Sequence, residues 1–210
     1  MSEREPISLI LGCGSEGLAW AAKREESILC LDHDSIARPG QRFLCGDALF
    51  LPLESGSVKT IYADFLLNSA CNEFGITGIR YSDVIANPKL LASRIFPESI
   101  RNFAEKIDYK LDTQRGDLLK ITSLVREAVL KEMWRVASPG GRIIIVDHKH
   151  VIEWVENKAM TVLCESPNFM RISREGLSPD DYSRSQSLRK LADNGAKVGK
   201  IVLAKGFLVR

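Results

Sequence analysis

The sequence predicts a doubly wound α/β fold, in which helices cover both faces of a mostly parallel β-sheet. Short aliphatic runs alternate with helical patterns, and a glycine-rich turn joins the first run to the first helical pattern. This alternation is typical of parallel sheets. The 210 residues are 45% hydrophobic and 27% charged, which is the composition of one globular domain with a full hydrophobic core.

The first unit follows directly from its residues. Residues 7–11 form a short aliphatic run that leads into Gly12, which predicts a buried parallel strand followed by a tight turn. Residues 17–25 predict a short helix, and residues 27–32 predict a second buried strand that ends on Asp32. The chain therefore opens with a strand–helix–strand unit.

Three further strands are expected. Residues 42–45 weakly predict a third strand, and residues 58–66 predict a stronger fourth. Residues 142–147 give the clearest strand pattern, and the breaker segment 138–141 (SPGG) leads into it. A helix over residues 117–136, which has one apolar face, returns the chain to the sheet between the fourth and fifth strands.

The segment before that helix is interpreted as an insertion. Residues 71–115 are mostly helical in pattern and are not needed to connect the strands. We expect one domain over residues 1–210, in which this helical insertion forms a lid over the ligand site. Its aromatic residues are candidate pocket liners, although they could equally pack the insertion onto the body: Phe74, Tyr81, Phe96 and Tyr109.

The last forty residues predict a helix and a strand. Ser178 is a helix cap, because its hydroxyl can accept a hydrogen bond from the backbone N–H of Asp181. Gly195 ends this helix, and residues 200–210 are strand-like. Two interpretations of Lys205 and the glycine after it remain open, a hairpin turn or a bulge.

Composition excludes several classes of protein. The sequence has no apolar run of about 18 residues and no apolar leader, so we expect a cytoplasmic protein with neither a membrane span nor a secretory signal. Its five cysteines are spread singly and are odd in number, which argues against a disulfide framework and against a zinc site. We therefore expect no metal.

The formal net charge of +2 hides an asymmetry along the chain. Residues 171–210 hold nine Lys/Arg against four Asp/Glu, whereas the rest of the chain is slightly acidic. The basic segment could meet an anionic partner. No basic stretch is interleaved with aromatic residues, however, so the sequence does not favour nucleic-acid binding.

The glycine turn has the spacing Gly12-x-Gly14-x-x-Gly17 between a strand and a helix. Glycines there leave the main chain open at a helix N-terminus, so an adenosine-bearing ligand can approach it closely. Asp32 ends the next strand, 20 residues after Gly12, and suits a carboxylate that accepts hydrogen bonds from both ribose hydroxyls. Two ligand classes fit: a nicotinamide dinucleotide and S-adenosyl-L-methionine.

Three downstream segments separate these ligands. Residues 43–53 contain Gly-Asp-Ala-x-x-x-Pro, residues 56–63 follow, and residues 130–147 contain Arg-Val-x-x-Pro-Gly-Gly before the clearest strand. In this order they resemble the successive motifs of the class I S-adenosylmethionine-dependent methyltransferases (methyltransferase type 11-like). With the glycine turn, the resemblance covers about two thirds of the 210 residues and implies a Rossmann-like fold.

The resemblance implies a site for S-adenosyl-L-methionine. Gly12 and Gly14 would pack against the methionine and ribose parts of the cofactor, and Asp32 would accept from the ribose hydroxyls. Asp47 would accept from the adenine amino group, with the backbone of Ala48 against the ring. An acceptor suits that position because the exocyclic nitrogen of adenine is a donor.

Further implied residues lie nearby. His33 would lie beside the adenosine, and Ala63, Asp64 and Phe65 would line the floor where the sulfonium faces the methyl acceptor. The family often has an acid two residues before the first glycine, where this chain has Ile10.

Glu16 could supply that carboxylate from the stretched turn, or could simply be a solvated acid in the first turn of the helix. Lys59 also stands where an Asp is common. These departures bear on cofactor affinity more than on fold.

Candidates for proton transfer follow the fourth and fifth predicted strands. His148, with His150 beside it, offers an imidazole that is suited to a general base, although both could be partly exposed turn residues. Asp64 is a competing candidate, and Asn68 could orient a substrate. The chain lacks the Asn/Asp-Pro-Pro-Tyr/Phe motif after the fourth strand, which disfavours the base- and amide-N-methylating relatives.

We therefore expect an S-adenosylmethionine-dependent methyltransferase that methylates an O, N or C centre of a small molecule. Three alternatives stay open. One is an RNA or protein methyltransferase that uses the basic segment. Another is a non-catalytic cofactor-binding or scaffolding module, which Ile10 and the stretched glycine turn suggest. The last and most distant is a nicotinamide-dependent reductase. The sequence indicates neither the acceptor nor the oligomeric state.

Overall fold

The structure is a computed structural model that describes residues 7–24, 27–32, 42–69, 73–74, 79–80, 98, 101–102, 115–163 and 170–206. The strands in this part of the chain are β1 (Ile7–Leu11), β2 (Ile28–Asp32), β3 (Phe43–Cys45), β4 (Val58–Asp64), β5 (Glu73–Phe74), β6 (Ile79–Arg80), β7 (Ala137–His148), β8 (Met170–Glu175) and β9 (Val198–Lys205). The helices there are α1 (Gly14–Ala21), α2 (Leu66–Ser69), α3 (Arg115–Val136), α4 (Lys149–Leu163), α5 (Pro179–Arg184) and α6 (Gln186–Asp193).

Seven strands form one sheet in the order β3-β2-β1-β4-β7-β9-β8. The first five in this order are parallel neighbours, and β9 runs antiparallel to both β7 and β8. The predicted doubly wound, mostly parallel fold is confirmed. The strand order reverses between β1 and β4, and open α/β sheets bind ligands beside the carboxyl ends of the strands at such a point.

Alternate residues of β1 point into two separate cores. Leu9 and Leu11 are fully buried in the larger core, which α3 and α4 cover. Ile10 lies in the smaller core with Trp20 of α1. Burial on both faces explains why residues 9–11 of β1 form a continuous aliphatic run rather than an alternating pattern.

The predicted breaker before the clearest strand lies inside β7. Val58 of β4 pairs with Ala137 and Thr60 pairs with Arg142, so residues 138–141 bulge out of the ladder. A Cβ at Gly141 would lie 2.8 Å from the carbonyl oxygen of Ser138, and only glycine fits there. The strand is therefore longer than its apolar run because a bulge, rather than a boundary, separates its two parts.

The segment 178–193 forms two helices where the sequence predicts one. The predicted cap is confirmed: the Ser178 hydroxyl accepts from the Asp181 N–H at 3.3 Å, and the Asp181 carboxylate accepts from the Ser178 N–H at 2.8 Å. Ser185 then interrupts the helix, and its hydroxyl accepts from the N–H of Leu188 to cap α6. The second cap lies only seven residues after the first.

Outcomes differ for the other predicted elements. Helix α3 begins two residues before its predicted start and ends at the predicted Val136. The antiparallel β5–β6 ladder lies at the start of the predicted insertion, in the dozen residues after Asn68 for which no helix is predicted. Most of the insertion and the side chains of its proposed aromatic liners lie outside the described residues, so the lid stays a prediction. β9 ends at Lys205, and residues 207–210 are also outside the described part.

Arg135 links two of the motif segments. Its guanidinium donates to the carbonyl oxygens of Leu51 and Leu53, both at 2.8 Å, and to the Glu132 carboxylate. Glu132 in turn accepts from the N–H of Leu51 at 3.1 Å. The loop that follows Asp47 is thus fixed to the end of α3.

We expect Arg135→Met to lower the free energy of unfolding by about 2 kcal/mol, because two carbonyl groups and a carboxylate lose a charged donor. Urea unfolding measures this difference. Arg142→Met is the matched control, since Arg142 is exposed and contacts Glu175 only at 3.4 Å; it should change stability by less than about 0.5 kcal/mol. Equal losses in the two variants would contradict the linking role.

No helix in the described ranges is both long and apolar enough to cross a bilayer.

Candidate functional site

A cavity of about 440 Å³ lies at the carboxyl ends of β1 and β4, where the strand order reverses. The glycine turn, residues 12–17, forms one wall, and Asp64 and Phe65 form the floor. The opposite wall comes from α5, α6 and the residue between them: Arg184, Ser185, Ser187 and Leu191. Segments from both halves of the chain therefore enclose this cavity.

The glycine turn adopts a backbone that favours glycine. Gly12 and Gly14 have φ angles of +63° and +51°, in the left-handed region that L side chains rarely adopt. The Gly14 N–H donates to the Asp32 carboxylate at 2.8 Å. Asp32 is only 8% exposed, so its carboxylate ties the end of β2 to the turn.

Phe65 follows β4 in a strained conformation. Its φ of +55° is the only positive value of a non-glycine residue among the described positions, and it costs of order 1–2 kcal/mol. Its N–H donates to the carbonyl oxygen of Val146 at 2.7 Å, and its ring meets that of His148 edge-to-face at 5.5 Å. These contacts hold the strained residue at the cavity floor.

Asp64 is held by an arginine that the sequence analysis missed. Arg184 donates to both oxygens of Asp64, from Nε at 2.6 Å and from Nη2 at 2.9 Å. The Arg184 side chain is 1% exposed and that of Asp64 is 9% exposed. The two residues are 120 positions apart, and no local pattern in the sequence links them.

Glu16 has a partner that neither sequence interpretation anticipated. Its carboxylate accepts from the N–H of Gln186 at 2.7 Å, and Gln186 is the first residue of α6. A carboxylate at a helix N-terminus satisfies an unpaired donor and interacts favourably with the helix dipole. Glu16 therefore lines the cavity and also joins its two walls.

A second set of contacts fixes the wall formed by α5 and α6. The indole N–H of Trp20 donates to the Asp180 carboxylate at 3.4 Å, and Arg24 pairs with the same carboxylate. The guanidinium of Arg24 also lies 4.4 Å from the centre of the Trp20 ring. These contacts attach α5 to α1 on the outer side of the cavity.

His148 lies on the cavity beside a buried carboxylate. Its ring stacks on that of His150, with centroids 5.7 Å apart, and burial lowers the pKa of His150. Asp147 is fully buried and accepts from the N–H of His148 at 2.7 Å and from that of Asn68 at 3.1 Å. Burial raises the pKa of Asp147 to about 6. This carboxylate positions the two segments that carry Asn68 and His148.

The raised pKa of Asp147 predicts a pH-dependent stability. Because the folded protein holds this proton more tightly than an unfolded chain with an ordinary pKa of 3.8, the contribution of Asp147 is largest below about pH 4 and is lost as the pH rises through 6. From pH 4 to pH 7, unfolding free energy should fall by about 2 kcal/mol in the wild type relative to Asp147→Asn. Urea titrations at several pH values measure this difference; a pH-independent difference would contradict the shift.

The residues proposed for the adenine end lie beside the cavity rather than in it. Asp47 accepts from the N–H of Leu49 at 2.9 Å in the loop after β3, and Ala48 packs against the larger core. Neither of them, nor Asp32, lines the cavity. His33 lies outside the described residues. The structure therefore brings together seven of the proposed site residues: Gly12, Gly14, Glu16, Asp64, Phe65, Asn68 and His148.

Cys13 of the glycine turn contacts Cys30 of β2. Cys13 and Cys30 are buried and free of disulfides, whereas Cys45 is exposed. A hydrogen bond between the two buried thiols, together with burial, raises the pKa of Cys13. Among the described residues, no group of three or more His, Cys, Asp or Glu side chains could hold a metal ion.

No protein-family model and no curated protein matches the sequence. The fold, in contrast, matches solved structures. The 16S rRNA methyltransferase KamB superposes with a TM-score of 0.51 at 14% identity, over 98% of this chain and 89% of that one. The protein has a methyltransferase fold. The predicted resemblance to the class I enzymes is confirmed at the level of the fold.

Other solved structures are similar at lower scores. An S-adenosylmethionine-dependent methyltransferase from Methanosarcina mazei has a TM-score of 0.46 at 13% identity, over 96% of this chain and 92% of that one. The [4+2]-cyclase SpnF has a TM-score of 0.45 at 14% identity, over 96% of this chain and 74% of that one.

Proposed function

We propose that the protein is an S-adenosylmethionine-dependent methyltransferase that acts on a small molecule. One observation carries the proposal: the charged side chains on the cavity are two carboxylates, Glu16 and Asp64, and one guanidinium, Arg184. Their formal sum is negative, which suits a cationic sulfonium ligand. A nicotinamide dinucleotide carries two phosphates, and its negative charge fits this cavity poorly.

The glycine turn has room for the cofactor, and two acids that lie beside the cavity have the chemistry to hold its ribose and adenine. A Cβ added to Gly14 would meet no atom within 4 Å, so the turn leaves open space beside its main chain. Asp32, at the end of β2, would hold the ribose hydroxyls, and Asp47 would accept from the adenine amino group. When bound, the cofactor supplies a methyl group on a good leaving group, so the protein mainly positions donor and acceptor.

We assign proton transfer to His148 rather than to Asp64. Both oxygens of Asp64 accept hydrogen bonds from Arg184, which leaves this carboxylate poorly suited to take a further proton. The imidazole of His148 lines the cavity beside Phe65 and could accept a proton from an acceptor hydroxyl or amine. Asn68, also on the cavity, would orient that acceptor.

A small-molecule acceptor is favoured over RNA because several basic side chains of residues 171–210 make contacts within the protein. Arg174 pairs with Glu156, Lys200 pairs with Asp181, and Lys205 donates to the main-chain carbonyls of Trp134 and Ala137. With Arg184 buried, these cations serve the fold rather than a single basic face. The segment therefore offers a polyanion less charge than its composition suggests.

A second candidate is a cofactor-binding module without turnover. It is favoured by the contact between Glu16 and the N–H of Gln186, which occupies the carboxylate that could otherwise hold the amino group of the cofactor. Such a protein would bind the sulfur ligands and transfer no methyl group.

Calorimetry with S-adenosylmethionine, S-adenosylhomocysteine and NADPH tests the proposal. We expect the two sulfur ligands to bind and the dinucleotide not to bind; the reverse result would overturn it. Labelled methyl transfer to a fractionated cell extract then identifies the acceptor. Label in the small-molecule fraction supports the proposal, label in RNA or protein supports the alternative acceptors, and binding without transfer supports the module.

A further inference from the structure

We propose that Arg184 is a positioning residue that keeps Asp64 ionised, so that the cavity floor presents a fixed carboxylate to the cationic end of the cofactor. This inference rests on the proposed function. Arg184 comes from α5, outside the motifs that resemble the methyltransferases, and it reaches the end of β4 with two hydrogen bonds to one carboxylate.

The position of Asp64 requires such a partner. Its side chain is 9% exposed at the edge of an apolar sheet, and an unpaired carboxyl in such a place takes up a proton rather than keep its charge. Burial raises the pKa of Asp64, and the hydrogen bonds and charge of Arg184 oppose that rise. A guanidinium stays protonated at any pH at which the protein is folded, so its effect does not titrate away.

Arg184 is itself held in place. Its Nη2 also donates to the Asp181 carboxylate at 3.0 Å, and its guanidinium lies 4.5 Å from the centre of the Tyr62 ring. Lys200 of β9 contacts the other oxygen of Asp181 at 3.1 Å. The charged groups that face Asp64 are thus Arg184, Asp181 and Lys200, and Lys200 compensates the second carboxylate.

This arrangement would let the cavity distinguish S-adenosylmethionine from S-adenosylhomocysteine, the product that remains after methyl transfer. S-adenosylmethionine carries a positive sulfonium, whereas S-adenosylhomocysteine carries a neutral thioether; the two are otherwise alike in charge. An ionised Asp64 favours the sulfonium, and a protonated Asp64 does not. With Arg184 in place, the preference should stay constant across the pH range in which an unpaired buried carboxyl would titrate.

The experiment measures the affinities for S-adenosylmethionine and for S-adenosylhomocysteine by calorimetry from pH 5.5 to pH 8.5. The ratio is the affinity for S-adenosylmethionine divided by that for S-adenosylhomocysteine. In the wild type the ratio should change by less than about twofold. In Arg184→Met the preference for S-adenosylmethionine should fall by about fivefold as the pH decreases and Asp64 takes up a proton. In Asp64→Asn the ratio should be low and independent of pH. Arg184→Lys should restore part of the wild-type behaviour because it keeps the positive charge. The rescue should be incomplete because an ammonium lacks the paired geometry of a guanidinium.

A pH-independent, wild-type ratio in Arg184→Met would overturn the inference, because a purely structural arginine would lower both affinities together. Carbon NMR with labelled aspartate, on the wild type and on Arg184→Met, supplies a test that needs no ligand. In the wild type Asp64 should be ionised from pH 5.5 to pH 8.5, whereas in Arg184→Met its titration midpoint should rise into this range; a wild-type midpoint inside the range, or equal midpoints in the two proteins, would overturn the inference. If neither sulfur ligand binds the wild type, the proposed function fails, and this titration still decides whether Arg184 keeps Asp64 ionised.

Discussion

Replacing Asp32 with alanine is expected to lower the affinity for S-adenosylhomocysteine by about 100-fold. Hydrogen bonds to a charged group contribute roughly 1.5–3 kcal/mol each, and each 1.4 kcal/mol is a factor of ten in affinity. Asp32 would offer such bonds to the ribose hydroxyls, and it accepts one from the Gly14 N–H at 2.8 Å. The variant therefore loses both a ligand contact and a support of the glycine turn.

Calorimetry measures this affinity, and circular dichroism shows whether the variant is folded. Asp193→Ala is the matched control, because Asp193 is an exposed acid at the end of α6, outside the cavity; it should bind like the wild type. A folded Asp32→Ala protein with wild-type affinity would exclude Asp32 from the cofactor site.

Gly14→Ala is expected to weaken binding of the same ligand by at least tenfold. The substitution places a methyl group beside the main chain that the cofactor approaches, and it adds strain of about 1–2 kcal/mol because φ is positive there. Calorimetry gives the affinity and urea unfolding gives the stability, so the two effects can be separated.

Gly195→Ala is the control for strain alone. Gly195 has a φ of +74°, and a Cβ there, as at Gly14, would meet no atom within 4 Å. Both variants should lose similar stability, whereas only Gly14→Ala should lose affinity. If the two variants bind equally well, the glycine turn is not the place where the cofactor approaches the main chain.

The parts of the fold that local sequence determines were predictable. The β1–α1–β2 unit places Asp32 beside Gly14 because a strand, a tight turn and a short helix leave few other arrangements. The aliphatic run of β7, residues 143–146, was predictable for a related reason: all four residues are buried, on the two faces of the sheet, and all four are apolar. The cap at Ser178 was equally local.

The features that sequence reasoning missed depend on distant contacts or on weak patterns. Glu16 meets the N–H of Gln186 across 170 positions, and nothing near either residue indicates the pair. β8 is an edge strand whose residues are all partly or fully exposed, so it lacks the apolar run that reveals a buried strand. The bulge at Gly141 follows from the backbone of β4 lying against it, which only the assembled sheet shows.

The wall formed by α5 and α6 also has a consequence for folding. Asp64 and Arg184 are joined across 120 positions, and such long loops close late because their entropy must be lost before the contact is gained. An intermediate that has assembled β1 to β4 already has the glycine turn but only half of the cavity. Ligand binding should therefore stabilise the completed fold alone, and binding competence during refolding should report the docking of α5 and α6.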